Sequence, residues 1–152
     1  MRTQITFALI LAVLEPFAGP AAAQDLPPIV QTMFMVKVDF EKIHALLIDT
    51  CKAKYPKSAP SLTKSLSAWE AENRSAQIEL KKIARQRFWR PNEGDDEDQR
   101  KLTDSFGKAM INIPDNELRS ACEGAYANTT LKAPELNFAA VLRMFQELDA
   151  SK

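Results

Sequence analysis

The sequence predicts an all-α fold, a bundle of four to five amphipathic helices clasped by one disulfide. Three observations lead there. Apolar side chains recur at helical spacing along most of the chain, glycine is scarce at four in 152 residues, and no segment finds a convincing partner strand. Two cysteines, Cys51 and Cys122, supply the clasp.

The fold is expected to start after residue 23. Arg2 precedes an apolar run, Ile5 to Leu14, followed by Pro16, Gly19 and Pro20 and then small residues at Ala21 and Ala23. That order is the three-part pattern of a cleaved secretory signal peptide. The run is too short to span a bilayer, which takes about 20 apolar residues, and no later segment is longer. Membrane insertion is therefore not expected. Cleavage would remove Arg2 and Glu15 together, so 152 residues become 129 and the twenty charges of each sign become nineteen. Residues 24–152 are read as one helical domain, since no stretch is long enough to act as a linker.

Along that domain, residues 29–38 are ambiguous. They are apolar without helical phase, and Val36, Val38 and Phe40 alternate with Lys37 and Asp39 as in a short strand or extended arm. Asp39 suits an N-cap, and Phe40, Ile43, His44, Leu47, Ile48 and Cys51 then repeat at helical spacing, giving a helix over 40–54 that stops before Pro56. The second helix, 61–89, carries a four-three alternation: Leu62, Leu66, Trp69, Asn73, Ala76, Leu80, Ile83 and Arg87. At 1.5 Å per residue it is about 40 Å long, so its partners are the other helices or a second copy of the chain. Leu102, Phe106 and Ala109 mark a third helix. A fourth runs from about Asp115 to Tyr126, and a fifth starts near Pro134 and carries Phe138, Val141, Leu142, Phe145 and Leu148. Short connections between such helices suit an antiparallel bundle.

The cysteines share a local pattern. Leu47, Cys51 and Tyr55 are spaced by four, as are Leu118, Cys122 and Tyr126, and residues four apart share a helix face. Two helices facing one another with a bridge between them would produce this. An intrachain bridge closes a loop of roughly 70 residues and contributes on the order of 4 kcal/mol in the chain-entropy model. Free buried thiols and an interchain bridge remain the alternatives. With 71 positions between them, the cysteines make no CxxC redox pair.

Net charge is zero, which disfavours a general polyanion binder, so nucleic acid is not an expected partner. Charge is nevertheless separated locally. Lys81, Lys82, Arg85, Arg87 and Arg90 surround Phe88 and Trp89, and Glu93, Asp95, Asp96, Glu97 and Asp98 follow at once. Cations at one helix C-terminus and anions at the next N-terminus complement both macrodipoles. The same residues read functionally form a docking surface, with Trp89 as an accessible anchor and Lys82, Arg85 and Arg90 recognising an anionic partner, because Trp and Arg dominate interface hot spots.

His44, the one histidine, falls on an apolar helix face, where a hydrogen-bonded core histidine is expected. Haem or metal ligation with Met33, Met35, Met110 or Met144 is the sharper alternative, and no second ligand at a fixed spacing supports it. Asn73, on the seam of the long helix, is read as a register-fixing polar residue with His44 as candidate partner. No catalytic constellation stands out, and the acidic run lacks the glycine and glutamate placement of an EF-hand loop. Neither enzymatic activity, a metal nor a cofactor is expected.

The expected function is that of an exported, periplasmic or secreted, helical protein that binds another macromolecule, most simply a protein. Small exported stress chaperones and toxin-immunity proteins are alike in size and class only. The alternative is a carrier of a small apolar or haem-like ligand lined by Trp69, Phe106, Phe138 and Phe145.

Overall fold

A computed structural model describes residues 28–152; the predicted signal peptide, 1–23, lies outside them. Six helices account for most of the described chain: α1 (Pro28–Met35), α2 (Phe40–Lys54), α3 (Ala59–Arg87), α4 (Asp96–Ile111), α5 (Asp115–Ser120) and α6 (Phe138–Ala150). No strand occurs among the described residues.

Residues 28–35 form a helix, not the strand or arm that the Val36–Val38–Phe40 alternation allowed. The alternation has another cause. The chain turns tightly after α1, with the Lys37 and Val38 amides donating to the Phe34 and Met35 carbonyls, and Val36, Lys37 and Val38 are all buried on leaving it. Asp39 then caps α2 as expected, its side chain accepting from the Lys42 amide. The Asp39 amide itself donates to Thr103 Oγ1, which ties the start of α2 to α4.

The long helix begins two residues earlier than predicted, because Pro60 is accepted in its first turn, and it ends at Arg87. Its seam is realised: Leu62, Leu66, Asn73, Ala76 and Leu80 are buried, while Arg87 at the end is exposed. α3 touches α1, α2 and α6 as well as residues 121–125, and α4 packs on α2. The core therefore lies around α3.

The predicted fourth helix is broken into pieces. α5 runs into a π-helical turn, Ala121–Ala125, and one further turn, Tyr126–Asn128. Gly124 takes φ +115° within it, a backbone state open chiefly to glycine. Cys122 sits in this turn and bridges Cys51 of α2, with Cα atoms 5.6 Å apart. The two Leu–Cys–Tyr stripes run antiparallel across the bridge: Tyr55 donates its hydroxyl to the Asp115 carbonyl at one end, and Tyr126 reaches His44 at the other. Pro134 opens a short 3₁₀ turn, Pro134–Leu136, and α6 starts after Asn137, whose side chain accepts from the Ala140 amide.

Candidate binding cleft at the end of helix α3

Beyond the last turn of α3 the chain doubles back through residues 88–95 to start α4. Gly94 makes this possible: it has φ +70° and lies so close beneath the Trp89 ring that a Cβ would collide with it. Trp89 is half-buried, more enclosed than the free anchor expected from the sequence. Its indole N–H donates to the Met33 carbonyl at 3.0 Å, joining the connector to α1. The ring is flanked by two cations, the Lys37 ammonium 5.3 Å and the Arg85 guanidinium 6.0 Å from its centroid.

Lys37 is the residue that sequence reasoning missed here. Only 5% exposed, it sits between the carboxylates of Glu93 at 2.6 Å and Asp98 at 3.3 Å. Burying an ammonium requires such partners. A lysine between two buried valines, with an acidic run far downstream, was the available signal. Three of the five acids are thus engaged locally: Glu93 also accepts from the Arg90 amide, Asp98 from the Gly94 amide, and Asp95 caps α4 by accepting from the Asp98 amide. Burial raises the Glu93 pKa, but the Lys37 ammonium and Arg90 amide outweigh it and hold the carboxyl below its usual value. Among the described residues no group of His, Cys, Asp and Glu is arranged to hold a metal ion.

Arg85, Trp89 and Arg90 line one cleft of about 490 Å³ together with Pro91, Asn92, Glu93, Asp95 and Asp96. Arg85 donates within the chain to the Gly94 carbonyl at 3.4 Å, and neither Arg85 nor Arg90 has a carboxylate within ion-pair distance among the described residues. Lys82 does not join them; it faces Glu79 one turn back, at 2.7 Å. Arg87 pairs with Asp149 of α6. The helix-end cations and the acidic run therefore lie side by side without neutralising one another directly.

The histidine is in the core. His44 is 1% exposed, its Nδ1–H donates to Glu70 at 2.6 Å, and its Nε2 accepts from the Tyr126 hydroxyl, 3.3 Å away. Both ring nitrogens are engaged, leaving neither lone for a haem or metal. Burial drives the His44 pKa below 6.5, only partly opposed by the Glu70 carboxylate; burial also raises that of Tyr126. Asn73 is buried and links α3 to α6, and its partner is not His44. Its Oδ1 accepts from the Ala139 amide in the first turn of α6 and its Nδ2 donates to the Trp69 carbonyl. The physical reason is reach: the amide sits one turn beyond Trp69, opposite the open N-terminus of α6, where unpaired N–H groups need acceptors.

Of the aromatic residues expected to line a ligand cavity, Trp69 and Phe138 pack on each other and on Phe40. Phe40, Trp69 and Phe138 have ring centroids 5.0 to 5.9 Å apart, and Phe145 meets Phe88 at 6.0 Å. Phe106 is buried on α4. Comparison with models of known families, with curated proteins and with solved structures gives no match.

Proposed function

We propose that the chain is an exported binding protein, without chemistry of its own, that receives an acidic segment of a protein partner in the cleft of Arg85, Trp89 and Arg90. The observation that carries this reading is a pair of arginines beside a fixed indole face, neither within ion-pair distance of a carboxylate among the described residues although Glu93, Asp95 and Asp96 line the same cleft. A guanidinium presents a rigid fork that matches a carboxylate bidentately. Arg85 is held over Trp89 and Trp89 is held by Met33, so little ordering is needed when a partner arrives. The Cys51–Cys122 disulfide supports export, because such bonds persist in oxidising compartments, and no helix among the described residues is long and apolar enough to cross a membrane.

The test uses immobilised protein and the extracytoplasmic fraction of the source cells. Arg85→Glu with Arg90→Glu should reduce capture of the partner at least tenfold, while Lys82→Glu, outside the cleft, should leave it unchanged. Equal capture by the double variant and the unaltered protein refutes the reading.

A further inference from the structure

A second cleft, of about 300 Å³, opens between α3 and the start of α2. One face of α3 lines it with Glu70, Arg74, Gln77 and Lys81. Spacings of four, three and four residues put these side chains in a single stripe, and from Glu70 to Lys81 the helix rises about 16 Å.

The two ends of the stripe differ in sign, and each is incompletely used. At one end Glu70 accepts from His44 through Oε1, which leaves Oε2 without a partner among the described residues. At the other, the half-buried Lys81 ammonium donates only to the neutral Gln99 Oε1 at 2.9 Å. Two of its three donors are left over, and burial lowers its pKa. Asp39 and Asp96 are near enough to favour its charge, but neither reaches ion-pair distance. In the middle, Arg74 is already paired with Glu41. Gln77 donates its amide to the Val36 and Val38 carbonyls, which leaves its Oε1 as an acceptor. Trp69 and Ile78, the latter 51% exposed, give the same cleft an apolar wall.

We infer that this cleft binds a short apolar peptide of three or four residues with both termini free, its ammonium on Glu70 and its carboxylate on Lys81. An extended chain advances about 3.3 Å per residue, so that length covers the gap once the reach of the two side chains is allowed for. Gln77 Oε1 meets a backbone N–H along the way, and the peptide side chains lie against Trp69 and Ile78. The requirement for both charges distinguishes a free peptide from the C-terminal tail of a larger protein, which brings a carboxylate alone.

Isothermal titration calorimetry with alanyl-leucyl-leucyl-alanine tests this against its N-acetylated and C-amidated forms. The free peptide should bind, each blocked form at least tenfold more weakly. Lys81→Met should cost the free peptide as much as amidation does and cost the amidated form nothing further; Glu70→Gln should behave likewise with acetylation. Absence of binding by the free peptide at millimolar concentration, or equal affinity for all three forms, overturns the proposal. Glu70 also supports His44, so if Glu70→Gln fails to fold, the blocked peptides on the unaltered protein still decide.

Discussion

At His44 the protein places its one titratable imidazole in an apolar interior and leaves it neutral. The folded pKa lies below 6.5 and the unfolded one near it, so below that pH the unfolded chain takes up a proton that the folded chain refuses. Stability should therefore decline as pH falls from about 6.5 and level off below the folded pKa. His44→Gln, which keeps a hydrogen-bonding group without titrating, should flatten urea-unfolding free energies across pH 5 to 7; an unchanged slope would refute this account. Asn73 is the other decisive core side chain. Replacing it with alanine strands the half-buried Ala139 amide and should cost about 1 kcal/mol. Differential scanning calorimetry would show it as a lowered Tm. Helical phase made the burial of both residues legible in the sequence. Their partners were not, because Glu70 is 26 positions from His44 and Ala139 is 66 from Asn73. Only the crossing of three helices brings those groups together.

Among the elements, the helices with a clear repeat were legible and the turns between them less so. α2 and α3 follow their apolar spacing because each buries one face. α1 did not announce itself, since its short sequence is apolar round most of the helix, exposed Val30 included, and has no polar face to set its phase. The π turn at Ala121–Ala125 was equally hidden: Gly124 lay inside an unbroken helical pattern. The connector after α3 depends on Gly94 in the same way. Gly94→Ala should cost about 1–2 kcal/mol for the left-handed backbone alone, and more because the Trp89 ring must move. Displacing Trp89 from Met33 should also shift tryptophan emission to the red. A variant with unchanged emission and Tm would mean that the connector is not held by this contact. For the candidate cleft, sequence proximity was enough to bring Arg85, Trp89 and Arg90 together. It could not show that Lys37, more than fifty positions upstream, claims two of the acids that follow them, Glu93 and Asp98.

For the molecule as a whole, the disulfide joins α2 to the turn after α5 across 71 positions. Most of the constraint falls on the unfolded chain, so replacing Cys51 and Cys122 together by alanine should lower the unfolding free energy by about 4 kcal/mol. Reduction of the unaltered protein should give the same shift in denaturant midpoint, and no shift on reduction would show that the bridge does not constrain the fold. The overall neutrality of the chain hides two clefts of mixed charge, one between α3 and the start of α2 and one at the end of α3. The proposed function rests on the cleft of Arg85, Trp89 and Arg90. Its most direct test is a photoreactive benzophenone amino acid placed at Asp96, within the cleft, and at Arg143 on the exposed face of α6 as a control. The account predicts one discrete protein adduct from position 96, absent from position 143 and abolished by Arg85→Glu with Arg90→Glu. An adduct that persists in that double variant, or forms equally from both positions, would contradict it.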